Sequence, residues 1–271
     1  MSAEPLPPPS SDYIQSLGRG LAVLEILGRG SASVTVQHVA DEAGVNRATA
    51  RRLLTTLETL GYVSRDGREF RLTAKVLGLG YSYLSALGVS DILSGVLKSL
   101  SNDLGEAVSV TIRDGDHIVY VARQSPDKVM TVSLSLGARL PVWNTSMGRM
   151  LLTALTEDDI RNLWQGSPPL RAATPRTITS LEDILRVVDG ARESGWVMVD
   201  QELEWGLRSI AVPLRRNGKI VAALNAATAN VGEDALSTRE RMLPALLDAA
   251  RRAEEVWRML PPAREFDAMS Q

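Results

Sequence analysis

The sequence has no cysteine and only two histidines, His38 and His117. The first absence excludes disulfides, thiolate metal sites and a cysteine nucleophile. The second leaves almost nothing from which to build a histidine-rich metal centre or a Ser-His-Asp triad. No metal and no cofactor is therefore expected. Aromatic residues make up only 4% of the 271 residues. No apolar run approaches the roughly 20 residues that a membrane-spanning helix needs. The opening segment, MSAEPLPPPSSD, has neither the basic block nor the apolar block of a signal peptide, and residues 1–12 read as a Pro/Ser-rich disordered arm. These absences predict a soluble, cytoplasmic protein without a membrane partner. They also argue against an enzyme. Isolated carboxylates such as Asp200 and Glu202 form no convincing acid–base pair, and no nucleophile is grouped with them.

The chain also lacks the overall basic charge of a nucleic-acid binder, with a formal net charge of −2. Charge by segment is more informative. Residues 13–75 hold nine Lys/Arg against six Asp/Glu, a net of +3. Residues 1–12 contribute −2, and residues 76–271 contribute −3 (21 minus 24). A basic excess confined to one small segment is the pattern expected when one domain touches phosphates and the rest does not.

That segment reads as a three-helix unit with a hairpin. Leu17, Leu21, Leu24 and Leu27 recur at spacings of four, three and three, which predicts a helix ending near Gly28–Gly30 with these leucines on its buried face. A short helix over Val36–Ala43 follows, capped by Thr35, and Gly44 breaks it. A third helix begins at the N-cap Asn46 and carries Ala50, Leu53, Leu54, Leu57 and Leu60 inward. Its outer face shows Arg47, Ala48, Thr49, Arg51, Arg52 and Thr55. Helix, glycine turn and polar-faced helix form a helix-turn-helix pattern. Tyr62–Arg65 and Arg68–Leu72 flank Asp66-Gly67, a two-residue hairpin signal at the spacing of a wing, with Arg65, Arg68 and Arg71 on it. We therefore expect Arg47, Ala48, Thr49, Arg51, Arg52, Thr55, Arg65 and Arg68 to meet double-stranded DNA. The plainer alternative is an ordinary three-helix bundle with a solvated basic face.

The domain plan is then a winged helix-turn-helix over 13–73, a linker helix over 74–89, a second domain over 90–260 and a tail over 261–271. The second domain mixes helices near 91–104, 145–155, 157–164, 180–194 and 237–259 with strands near 107–113, 117–123, 130–134, 207–214 and 219–227. Arg216-Asn217-Gly218 turns the last pair. Helices bracketing an antiparallel sheet give an α+β class.

YIQSLGRGLAVLEIL (13–27) and GYVSRDGREFRLTAKVLGLG (61–80) resemble IclR-type transcription regulators. So do LGARLPVWNTSMGRMLLTAL (136–155), GWVMVDQELEWGLRSIAVPL (195–214) and IVAALNAATAN (220–230). NTSMGRMLL and VDQELEWGLRSIAVP are most similar to the β-ketoadipate-pathway branch. The resemblance implies a GAF-like effector domain, a homodimer or dimer of dimers on near-palindromic operators, and a small organic acid effector. It further implies that Ser146 and Met147 present backbone amides to the ligand carboxylate, and that Val199, Asp200, Ser209, Asn225 and Ala227 complete the pocket. Trp143-Asn144 stands where the branch commonly has Tyr-Cys, and Trp143 is a candidate pocket wall or a core residue. Each of these residues also has a structural reading: Ser146 as a helix cap, Asn225 as a partner for buried backbone. Arg208 reads either as a partner for the acid or as an ion-pair partner of Glu202 or Glu204.

Overall fold

Two short polar side chains fix the geometry of the N-terminal unit. Thr35 accepts the His38 N–H at 3.3 Å and Asn46 accepts the Thr49 N–H at 2.8 Å. Each satisfies an amide that a helix start leaves without an internal partner. In this computed structural model the described residues are 12–29, 33–79, 92–126, 135–229 and 232–259. The chain forms two compact units, Met1–Tyr83 and Leu84–Gln271.

In the first unit, α1 (Gln15–Gly28), α2 (Val36–Glu42) and α3 (Arg47–Thr59) precede a hairpin of β2 (Val63–Asp66) and β3 (Glu69–Leu72). A two-residue strand, β1 (Val34–Thr35), adds to β3, giving the order β1-β3-β2. Gly44 takes φ +61° at the turn between α2 and α3, and Val45 donates back to the Ala40 carbonyl at 3.0 Å. That region of backbone is open to glycine without strain.

Three details differ from expectation. Leu60, expected on the inward face of α3, is the helix C-cap and 52% exposed. The buried face of α1 is Val23, Ile26 and Leu27, with Leu24 packed partly against them, whereas Leu17 and Leu21 are more than half exposed. The leucine spacing is helical, but residues 23, 26 and 27 are the ones turned toward α2 and α3. The wing turn is Gly67-Arg68 rather than Asp66-Gly67, because Asp66 pairs with Glu69 and Gly67 supplies positive φ at the first loop position. After β3 a single 3-10 turn runs over Ala74–Val76. The linker helix beyond 79, the strand expected near 130–134, residues 1–11 and the tail lie outside the described residues.

The second unit is built on six antiparallel strands in the order β6-β5-β4-β9-β8-β7. They are β4 (Ala107–Asp114), β5 (His117–Gln124), β6 (Arg139–Pro141), β7 (Val197–Asp200), β8 (Leu207–Arg216) and β9 (Lys219–Ala229). Strands β6 and β7 were not read from the sequence. Asn217-Gly218 turns β8 into β9 with both residues at positive φ, the geometry of a two-residue hairpin.

Alternation of side chains gives the sheet two apolar faces. One face carries Val108, Val110, Ile210, Val212 and Leu224 against α4 (Ile92–Leu104) and α8 (Ala235–Met259). The other carries Ile118, Tyr120, Ala211 and Ala223 against α5 (Ser146–Leu152) and α7 (Leu181–Ser194). Between those helices lies α6 (Glu157–Leu163), started by a reciprocal capping box of Thr156 and Asp159.

The start of α5 is held against the preceding turn without room for a side chain. A Cβ on Gly148 would stand 2.2 Å from the Val142 carbonyl oxygen, and backbone has no rotamer by which to move away. Gly148→Ala should therefore lower stability by about 1–3 kcal/mol through forced displacement of a packed segment. Thermal unfolding would show a fall of several degrees, and an unchanged midpoint would refute the packing described.

Candidate nucleic-acid interface and effector cleft

On α3, Arg47, Arg51 and Thr55 recur every fourth residue and so share one face. With Thr35, Val36 and Gln37 at the start of α2 and Arg65, Arg68 and Phe70 of the wing, they line a concave cleft of about 490 Å³. Ala48 and Arg52 are exposed beside that face, and Thr49 is half-buried at the helix start. Arg65 is steadied by donating to the Gly67 carbonyl at 2.9 Å and by lying 5.6 Å from the Phe70 ring centre.

What sets this surface apart is missing neutralisation. Among the described residues, Arg47, Arg51, Arg52, Arg65 and Arg68 have no carboxylate partner. In the second unit, by contrast, Arg149, Arg161, Arg176, Arg208, Arg241 and Arg251 all pair with acids. Uncompensated guanidinium groups around a helix N-terminal half form an anion-binding surface of the kind that docks on a phosphate backbone.

The second unit has its own cleft, about 940 Å³, on the face of the sheet that carries α5. Its floor follows from strand register. Val199, Ser209, Ala227 and Ala107 are direct neighbours across β7, β8, β9 and β4, and Ser109 faces Asn225 one rung away. Small side chains in a row leave the space that larger residues fill elsewhere in the core. Met147, Asn144, Thr145, Tyr120 and Leu140 form walls, and the segment Leu203–Gly206 closes one side. Arg123 is the one cationic side chain on the lining among the described residues. Burial pushes the Tyr120 hydroxyl up to about 12, against the opposing effect of the nearby Arg123 charge, so it remains a neutral phenol at physiological pH.

Of the residues expected around an effector, Met147, Val199, Ser209, Asn225 and Ala227 line this cleft; Trp143, Ser146 and Asp200 do not. Trp143 is packed in the core with α7, where its carbonyl accepts Arg149 Nε at 2.8 Å. Ser146 is fully buried, and its hydroxyl lies 2.9 Å from the Ser209 hydroxyl, tying α5 to the floor. Asp200 is engaged by Arg208 at 2.9 Å and by Arg176 at 2.8 Å. Arg208 thus pairs with Asp200, not with Glu202 or Glu204, because the β7–β8 register sets Asp200 opposite Arg208. It also donates to the Glu233 carbonyl and to Thr238. Asn144 was missed as a lining residue; its signal in the sequence is one polar side chain between Trp143 and the helix cap Thr145.

Glu202 instead holds Arg149 through two bonds of 2.6 and 2.5 Å, and both side chains are almost fully buried. Glu202 further accepts the Ile178 N–H at 2.9 Å. Removing one charge from such a pair strands the other in a medium that solvates it poorly. Glu202→Gln should cost about 3–5 kcal/mol of stability, read by denaturant unfolding. A loss below about 1 kcal/mol, the range of exposed pairs, would contradict this burial.

Among the described residues no helix is long and apolar enough to cross a membrane, and no group of three or more His, Asp or Glu is placed to hold a metal ion. Residues 16–67 match the IclR helix-turn-helix domain, and residues 81–254 match the C-terminal domain of bacterial IclR transcriptional regulators. The chain is 41% identical over 243 residues to the Pca regulon regulatory protein of Pseudomonas putida, covering 89% of this chain and 83% of that one. It is 36% identical over 222 residues to the p-hydroxybenzoate hydroxylase transcriptional activator of Acinetobacter baylyi, covering 80% and 82%. A transcriptional regulator of Rhodococcus sp. RHA1 superposes with a TM-score of 0.79 at 39% identity, over 92% of this chain and 100% of that one. An IclR homologue of Microbacterium hydrocarbonoxydans, solved with 4-hydroxybenzoate, shares the fold with a TM-score of 0.81 at 23% identity, over 91% and 100%. With both domains matched in order over most of its length, this chain belongs to the IclR family of DNA-binding transcription regulators.

Proposed function

We propose that this regulator controls genes of aromatic-acid catabolism in the β-ketoadipate pathway, and that a small organic acid in the second unit sets its affinity for the operator. The observation that carries the reading is the pairing, in one chain, of an uncompensated arginine surface with a roomy cleft over a small-residue floor. The curated relatives supply the pathway, since they are regulators of the Pca regulon and of p-hydroxybenzoate hydroxylase. The ligand is β-ketoadipate or an aromatic acid such as protocatechuate. Against the three carboxylates of the lining, Glu106, Glu204 and Glu233, two features favour an acid: Arg123, and the first turn of α5, where Thr145 caps Gly148 and the amides of Ser146 and Met147 precede that bond. Met147, Val199, Ser209, Asn225 and Ala227 surround the ligand in this reading, and Ser146 acts through its backbone.

The working form is a homodimer, or a pair of dimers, on a two-fold operator. One recognition helix reads only a few base pairs, and a symmetric pair doubles the site. Ile14, Leu17 and Leu21 of the first helical segment, with Leu77 and Leu79 after the wing, are exposed apolar side chains suited to self-association. Sedimentation should show a dimer or tetramer, and one monomer per operator would refute it.

Recognition through α3 gives a second expectation. Arg47→Ala and Arg51→Ala should each weaken operator binding by about 1–3 kcal/mol where the side chain reads a base edge. Where it holds a phosphate, binding falls alike on all sequences and the dependence on salt flattens by about one charge. Quantitative gel shift over a salt series separates the two, and unchanged affinity in both variants rules out this placement of α3.

A further inference from the structure

The effector cleft contains two side chains that the fold itself leaves incomplete. Asn144 and Asn225 are 3% and 4% exposed, both line the cleft, and neither carboxamide oxygen has a hydrogen-bond partner. They come from different elements, the turn before α5 and the floor strand β9. Nearly every buried polar atom in a folded protein is paired, and an orphaned one is costly. Their neighbours do not behave this way: Thr145 is bonded to the Pro141 carbonyl and Gly148, and Ser146 to Ser209. A carboxamide offers one acceptor and two donors and carries no charge. What the orphaned oxygens lack is a donor; a hydroxyl supplies one, and an ionised keto acid, which only accepts, leaves them orphaned.

Resting on the reading of this cleft as an effector site, we infer that Asn144 and Asn225 recognise a ring hydroxyl of a hydroxylated aromatic acid, whose O–H donates to one carboxamide oxygen and whose oxygen accepts from the other carboxamide, and so set which acid the regulator answers to. The carboxylate is held elsewhere on the lining. The Tyr120 phenol adds a further uncharged hydrogen-bonding group to the same cleft. A site that hydrogen-bonds a ligand hydroxyl discriminates strongly against an isostere lacking it, because its own polar groups then stay buried and unpaired.

Calorimetry on the full chain with 4-hydroxybenzoate, 4-methylbenzoate and benzoate tests this. The wild type should prefer the hydroxylated acid over its methyl isostere by at least about tenfold. Asn144→Ala and Asn225→Ala should each shrink that ratio several-fold while leaving benzoate affinity within about twofold. Asn144→Leu provides a second variant of similar volume. Without ligand, Asn144→Leu should melt at or above the wild-type temperature, since an unpaired buried group has been removed without loss of volume; a merely structural asparagine would lower it. Equal losses for all three acids, or an undiminished hydroxyl preference in all the variants, overturn the proposal while leaving the aromatic reading intact. Failure of the wild type to bind any of the benzoates overturns this inference, and the proposed function falls with it only where β-ketoadipate and protocatechuate also fail to bind.

Discussion

The architecture of the second unit turns on the buried ion pair between Arg149 and Glu202. Arg149 lies on α5, whose first turn forms one wall of the cleft; Glu202 directly precedes Leu203–Gly206, which closes one side. Two charges taken from water are costly unless each is fully hydrogen-bonded. Here Arg149 meets both carboxylate oxygens and the Trp143 carbonyl, and Glu202 also takes the Ile178 amide. The Thr174 and Thr177 hydroxyls donate to the carbonyls of Gln201 and Glu202. Because hydrogen bonds are directional, this network fixes the separation of α5 and Glu202 more sharply than apolar packing would. The cleft is thus a consequence of satisfied charge on its flanks and of small residues on its floor.

The same accounting divides the labour between the units. Many arginines of the second unit, among them Arg149, Arg161, Arg176, Arg208, Arg241 and Arg251, are engaged by carboxylates. Arginines of the α3–wing cleft have none to consume them. A net charge near zero therefore coexists with a local surface able to displace counterions from a phosphate backbone. Whole-chain composition hides this, and segmental charge reveals it.

Legibility in the sequence followed how local the determining physics is. The helix-turn-helix was readable because Thr35, Gly44 and Asn46 act on amides and dihedrals within three residues of themselves. The Asn217-Gly218 hairpin was readable for the same reason. The buried face of α1 was not, because Leu17, Leu21, Val23 and Ile26 are equally apolar and only packing decides among them. Strands β1, β6 and β7 hold two to four residues each, too few for alternation to show, and exist because a longer neighbour offers an edge. The exchange of ion-pair partners has a local cause that sequence does not print. Gln201 adopts φ +61°, which redirects the chain after Asp200 and sends Glu202 toward α5 instead of along β7. At the effector cleft, family-like residues on the floor strands were legible, whereas Asn144 needed burial to single it out.

In the proposed reading, ligand control acts through whatever part of the cleft can differ between two states. An effector alters an equilibrium only through different affinity for two states, so some part of its surroundings must differ between them. The floor is paired strand to strand, and α5 is tied to it by Ser146 and Ser209. The 201–206 segment is anchored at one end by Glu202 and at the other where Leu207 enters β8 opposite Ala229. Between those anchors Leu203, Glu204, Trp205 and Gly206 line the cleft, and Trp205 is 65% exposed. Large exposed aromatic surface beside a cleft gains most from any change that covers it. Trp205 is the large apolar side chain of the lining with the most surface left to cover.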